Sequence, residues 1–189
     1  CKQCGCSTKW KRKMMWQGKP NPQSWAYCFD AEPHFQYFEE YKKRPSTKAM
    51  RDELGYTESM SLQGSCFMCS REDYWRLNLS DETLGNWGNQ GIEVAAKTWL
   101  SGGRVLINHA TWYAHMFRTQ GGDFSFPYAL NGVQTTKRNV KKLIWENGFN
   151  EQRYPVSWLI EKFWPVPGWT QEQLQVLKQN EHKPEKFDG

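Results

Sequence analysis

The sequence predicts an α/β domain, a mixed sheet with flanking helices, preceded by a small Cys-rich N-terminal appendage. Three observations carry this. Residues 90–101 repeat apolar side chains at helical spacing, and short apolar runs resembling strands alternate with further helical stretches. Three of the six cysteines fall within the first six residues. At 189 residues, 38% apolar and 15% aromatic, the chain is long enough to bury one core.

Residues 1–28 are rich in Cys, Lys and Trp and contain Pro20 and Pro22, so they read as an irregular insertion or a partial zinc knuckle. Cys1-Lys2-Gln3-Cys4-Gly5-Cys6 is a tight turn that can aim two thiolates at one ion, and a zinc site needs four ligands. The candidates are Cys1, Cys4, Cys6 and Cys28, or Cys1 and Cys4 with a further pair upstream, with reduced, unbound thiols as the alternative. Phe35, Phe38 and Tyr41 recur every third residue and predict a helix over 33–44, closed by Pro45. The polar stretch 46–59 reads as a loop, Met60–Ser70 as a buried strand, and Arg71–Leu77 as a short helix. Within that strand Cys66 and Cys69 would point to opposite faces and could not chelate together.

The helix over 90–101 buries Ile92, Ala95, Ala96, Trp99 and Leu100, pairs Glu93 with Lys97, and stops at Gly102-Gly103. Residues 104–108 and 111–117 read as strands, 119–128 as a glycine-hinged aromatic loop, and 134–147, 156–163 and 170–180 as helices. The expected division is 1–28, a main domain over 29–150, and a helical extension over 151–189.

Composition excludes little. A net charge of +5 permits anionic ligands without demanding them. No run approaches the ~20 apolar residues of a membrane span, no signal-peptide pattern opens the chain, and the uneven placing of the cysteines fits a reducing compartment better than a disulfide scaffold, so a cytoplasmic location is expected.

The chemistry concentrates in Trp87-Gly88-Asn89-Gln90-Gly91-Ile92-Glu93 and Ala114-His115-Met116-Phe117-Arg118. His115 can offer a metal nitrogen, and Arg118 a fork for phosphate oxygens. On a strand these two would face oppositely, so both reach one ligand only if the chain turns at 116–118. A hydrogen-bonded His and a surface Arg is the structural alternative.

Together with Gly64-Ser65-Cys66-Phe67-Met68 and Trp99-Leu100-Ser101-Gly102-Gly103, these motifs stand in the order seen in family 2 glycosyltransferases. The set resembles the C-terminal, acceptor-side half of the GT-A fold and is similar to polypeptide N-acetylgalactosaminyltransferases over about residues 60–128. The resemblance implies a nucleotide-sugar donor, Mn2+ or Mg2+, and a glycan, peptide or small-molecule acceptor. It implies that His115 completes the metal site, that Arg118 meets the diphosphate, and that 119–128 closes over the donor with Gln120, Phe126 and Tyr128. Gly64 would leave room for the sugar, and Trp87 and Gly88 would line the site. Gln90 and Glu93 are the candidates for acceptor positioning or base work.

Two departures shape the expectation. The chain contains no Asp-x-Asp or Asp-x-His, and no N-terminal nucleotide-binding region; Asp30-Ala31-Glu32 is the nearest acidic motif. A fragment inactive without the N-terminal half of the same enzyme is therefore expected. Where relatives carry Glu followed by Asp or Asn, this chain has Gln90 and Gly91. An inverting transfer would then fall to Glu93 as base, whereas a retaining, front-face transfer tolerates Gln90. Two other readings compete. One is a zinc-knuckle module binding nucleic acid through Lys9–Lys13, Trp10, Trp16 and Trp25; it leaves the Trp87–Arg118 arrangement unexplained, so no nucleic-acid partner is expected. The other is an inactive carbohydrate-binding or scaffold domain.

Overall fold

The computed structural model describes residues 24–85, 88–115 and 132–185. The elements run β1 (Tyr27–Phe29), β2 (Phe35–Tyr37), α1 (Glu39–Lys43), α2 (Pro45–Leu54), β3 (Tyr56–Glu58), α3 (Arg71–Arg76) and a 3-10 turn (Glu82–Leu84). They continue with α4 (Gln90–Leu100), β4 (Leu106–Asn108), α5 (Val133–Lys141), a π-helical turn (Lys142–Asn147), α6 (Val156–Lys162) and α7 (Gln171–Asn180).

Helix α4 is the axis of the molecule. Every residue from Gly91 to Leu100 except Thr98 is buried, so the helix is covered on nearly all sides. The predicted stripe is inside, and Trp99 also donates its indole N–H to the Ser59 carbonyl at 2.9 Å. Gly102, at φ +90°, supplies the left-handed turn that ends the helix. The C-terminal helices share this core, with Leu159, Ile160 and Phe163 of α6 and Leu174 and Leu177 of α7 in one apolar cluster with Phe29, Trp99 and Ile144. Thr170 and Gln173 form a reciprocal capping box at the start of α7.

The α/β class stands, but the sheet differs from the expected mixed one. Among the described residues there are two separate antiparallel pairs, β1 with β2 and β3 with β4. The stretch 33–44 is not one helix. Phe35 and Tyr37 lie on β2, and only residues 39–43 are helical, because Tyr27–Phe29 offers a strand partner in register with Phe35–Tyr37. Pro45 follows the end of α1, capped by an extended Arg44, and also begins a helix: it occupies the first turn of α2, where its missing N–H costs nothing. The stretch read as a loop, 46–59, holds most of α2 and all of β3.

Residues 60–70 are irregular. Met60 and Leu62 enter the core, whereas Cys66, Met68 and Cys69 are exposed. Residues 111–115 carry no strand; 116 and 117 lie outside the described part. No helix among the described residues is long and apolar enough to cross a membrane.

Candidate functional site

A cleft of about 1170 Å³ opens where α4 begins. Gly88, Asn89, Gln90, Gly91 and Glu93 line it from the helix, and Gly64 and Phe67 from the irregular segment before α3. Ser80, Asp81 and Glu82 contribute from the loop before the 3-10 turn, Phe35 and Tyr37 from β2, and Thr136 and Val140 from α5. His115 lines it as well. The structure thus gathers Gly64, Gly88, Gln90, Glu93 and His115 at one cavity. Trp87, Arg118, Gln120, Phe126 and Tyr128, named from the sequence, lie outside the described residues, as do Cys1, Cys4 and Cys6.

Close backbone packing sets the shape of this site. A Cβ on Gly91 would stand 1.9 Å from the Leu62 carbonyl oxygen, so only glycine lets the first turn of α4 touch the 62–64 segment. A Cβ on Gly64 would meet the Gln90 side chain and the Gly91 nitrogen at 3.1 Å. Asn89 turns the chain into the helix at φ +56°, a left-handed conformation that Asn tolerates better than most residues. Its amide reaches back to the Pro33 carbonyl at 3.3 Å. On the other side Asn139 of α5 donates to the Leu84 carbonyl at 3.0 Å and holds the 3-10 turn in place.

Two of the expected residues differ in situation. Gln90 is exposed, and its amide donates to the Ser80 hydroxyl at 2.8 Å. Glu93 is 2% exposed. Its carboxylate meets the Lys97 ammonium at 2.7 Å and accepts the backbone N–H of Ser80 at 3.1 Å. Burial pushes its pKa up, while Lys97 and the Ser80 and Asp81 amides pull the other way. A carboxylate so engaged holds protein groups together and is poorly placed to take a proton from an acceptor hydroxyl. The exposed carboxylate at this site is Glu82, which nothing in the sequence pattern singled out.

The aromatic lining was also missed. Phe35 and Tyr37 stand two apart on β2, 38% and 47% exposed, and rest on Tyr27 at ring separations of 5.1 and 5.7 Å. Their period-2 spacing was the signal, hidden by the period-3 match of Phe35 with Phe38 and Tyr41. Tyr113 is a second omission. Its hydroxyl donates to Gln63 Oε1 at 2.8 Å and lies 2.9 Å from the Ser65 hydroxyl, pinning the segment that carries Gly64.

Electrostatically the described lining is acidic. It holds the carboxylates of Asp81, Glu82 and Glu93, and among the described residues no Lys or Arg. For a divalent cation the described residues are not sufficient: no group of three or more His, Cys, Asp or Glu among them could hold a metal. Cys28 has the surroundings of a packing residue rather than of a zinc ligand. It is fully buried on β1, and burial, aided by the nearby Asp30 charge, pushes its thiol pKa up to about 12.

The fold is similar to part of the GT-A fold. No family model matches the chain. Its homologues are polypeptide N-acetylgalactosaminyltransferases. A candidate polypeptide N-acetylgalactosaminyltransferase 13 of Drosophila melanogaster is 32% identical over 129 residues, 66% of this chain and 22% of that protein. Polypeptide N-acetylgalactosaminyltransferase 3 of the same species is 20% identical over 73% of this chain and 25% of its own length. Human N-acetylgalactosaminyltransferase 7 is 26% identical over 51% of this chain and 15% of its own. A crystal structure of GalNAc-transferase 7 with UDP, GalNAc and Mn2+ superposes with a TM-score of 0.52 at 17% identity, covering 82% of this chain and 27% of that one. The chain therefore spans about a quarter or less of the proteins it matches.

Proposed function

We propose that this chain is the acceptor-side part of a glycosyltransferase that moves a sugar from a nucleotide-sugar donor to an acceptor hydroxyl, and that the cleft at the start of α4 holds the sugar. The observation that supports this best is the convergence of Gly64, Gly88, Gln90 and His115 with the exposed rings of Phe35 and Tyr37 on one cavity. Neutral polar groups beside aromatic faces suit a sugar, whose C–H surfaces pack on rings while its hydroxyls exchange hydrogen bonds. The acidic described lining does not suit a diphosphate. That charge would be met by Arg118 and by residues beyond the described part, as would most of a Mn2+ or Mg2+ coordination shell.

In this reading His115 would offer one nitrogen to a divalent cation, which would supply charge neutralisation for the diphosphate. Gln90 hydrogen-bonds a sugar hydroxyl, steadied by Ser80. Glu93 is committed to Lys97 and the Ser80 amide, so it positions the loop at the cleft rather than serving as a base. The zinc-knuckle and scaffold readings gain no support from the similarities, which are to transferases.

The test is an NMR titration of the 15N-labelled 189-residue chain with GalNAc, UDP and UDP-GalNAc, each with and without Mn2+. Free sugar should shift Gln90, Gly64 and Gly88 and leave α7 unmoved. A sugar that shifts none of these three groups would remove the cleft from the proposal. Transfer to a peptide by the 189-residue chain alone would sink the acceptor-side assignment.

A further inference from the structure

We propose that Glu93 and Lys97 are positioning residues whose work is to hold the loop 78–81 in a strained shape, so that Ser80 braces Gln90 at the cleft. The inference rests on the reading that Gln90 meets the ligand.

The loop carries two left-handed non-glycine residues, Asn78 at φ +48° and Ser80 at φ +59°. Each such residue costs roughly 1 kcal/mol or more and persists only where its surroundings enforce it. The enforcing groups are identifiable. The Lys97 ammonium, 2% exposed, donates to the Asn78 carbonyl at 2.6 Å. The Glu93 carboxylate accepts from the Ser80 amide at 3.1 Å and from the Asp81 amide at 3.5 Å. Asp81 Oδ2 lies 3.9 Å from the Lys97 ammonium, while its other oxygen takes the amide and hydroxyl of Thr83 at 3.0 and 2.6 Å.

The chain therefore enters and leaves this bend bound to one buried ion pair, one helical turn inside α4. The consequence appears at the surface. With the Ser80 amide turned inward to Glu93, its hydroxyl accepts the Gln90 amide at 2.8 Å, which leaves Gln90 Oε1 beside Gly64 at the cleft. Stability alone does not account for a buried ion pair here, because apolar residues of similar volume usually replace such pairs with little loss. What they could not replace is the set of loop amides and carbonyl that the pair receives.

That contrast supplies the test. The double variant Glu93→Leu/Lys97→Met, made in the 189-residue chain, keeps helix-forming side chains of similar bulk and removes both charges together. Thermal unfolding, site-resolved amide exchange and the GalNAc titration are compared with the native chain. The expected result is a largely retained transition with slow exchange kept at Ala95 and Ala96. The Ser80 and Asp81 amides should exchange at least about tenfold faster, and the Gln90 side-chain amide signals should collapse toward free-amide positions. Unchanged Ser80 and Asp81 protection overturns the proposal, as does a loss of protection shared equally by every α4 amide. If the double variant fails to fold, Glu93→Gln alone reads the same two amides.

Loop protection and the Gln90 signals are measured without ligand, so they stand or fall apart from the sugar-binding reading. Where that reading holds, GalNAc affinity should fall together with loop protection. Full affinity in a variant whose loop has come free overturns the proposal.

Discussion

The indole N–H of Trp169 donates to the Phe29 carbonyl at 2.9 Å, joining residues 140 positions apart inside the core. Phe29 ends β1 and is fully buried, and Trp169 sits just ahead of the cap of α7. The bond fastens the C-terminal helices to the hairpin whose second strand carries Phe35 and Tyr37 to the cleft. Trp169→Phe keeps most of the ring but leaves a buried carbonyl without its donor, a loss of about 1–3 kcal/mol. Trp169→Ala adds a cavity and should cost about 3–5 kcal/mol. Urea denaturation followed by circular dichroism checks both, and a Trp169→Phe variant as stable as the native chain would show that the bond contributes nothing.

Gly91→Ala and Gly64→Ala should differ sharply. At Gly91 the new methyl meets a backbone oxygen at 1.9 Å, so either α4 or the 62–64 segment must shift. Overpacking of this kind costs about 1–3 kcal/mol, with the upper end expected here because backbone yields poorly. At Gly64 the nearest contacts are 3.1 Å away and include the movable end of Gln90. That variant should lose less than about 1 kcal/mol while displacing Gln90, and so weaken sugar binding more than stability. Paired denaturation curves and GalNAc titrations separate the two effects.

What the sequence revealed follows from where the periodic signal was clean. Helix α4 was legible because Ile92, Ala95, Ala96, Trp99 and Leu100 repeat at 3.6 spacing and Gly102 closes the run; α6 and α7 were legible for the same reason. The Glu93–Lys97 contact was visible as an i, i+4 pair. Its burial was not, since spacing says nothing of which face a neighbour covers. The errors cluster at strands three residues long. Phe35-Gln36-Tyr37 is too short for alternation to outvote a period-3 coincidence, and only the long-range partner Tyr27–Phe29 decides it. Pro45 was read as a stop, which it is for α1; its second role as the first residue of α2 was not read, because a proline ends one helix and starts another with equal ease. At the site, Gly64, Gly88, Gln90 and His115 were found through motif order. Tyr113, Ser80 and Glu82 were missed because loop closure brings them in, and loop closure leaves no periodic trace.

Tyr113→Phe tests the contribution of one of those missed residues. Its hydroxyl joins Gln63 and Ser65 at a partly solvated rim, so water can replace the bonds and the stability cost should stay below about 1 kcal/mol. The segment carrying Gly64 should nonetheless loosen. Faster amide exchange at Ser65 and Cys66 with an unchanged melting temperature is the expected pattern. Unchanged exchange there would show that Gly91 and Leu62 hold the segment without Tyr113.

The pH dependence of stability should have two opposing components, each assignable to one residue. Glu181 is buried and accepts the Ser157 amide at 2.8 Å and the Ser157 hydroxyl at 2.6 Å. Burial raises its pKa above 4.5, with the Ser157 bonds and nearby Lys183 and Lys178 opposing. A raised carboxyl pKa means the native state holds its proton longer than the unfolded chain. Its contribution is therefore full below the unfolded pKa and is lost as pH rises through the folded one. Asp30 behaves oppositely. Burial pushes its pKa up, but the His34 and Glu32 amides and the His34 ring outweigh burial and hold it below 3.8. That contribution is present above the unfolded pKa and is lost as pH falls through the folded one. Denaturation curves between about pH 3 and pH 8 resolve the two. The stability gap between the native chain and Glu181→Gln should shift against the native chain as pH climbs from about 4.5. The gap to Asp30→Asn should shift in its favour as pH climbs to about 4 and then stay level. A Glu181→Gln gap independent of pH would mean that the carboxyl titrates alike folded and unfolded, and that its two bonds to Ser157 cancel the effect of burial.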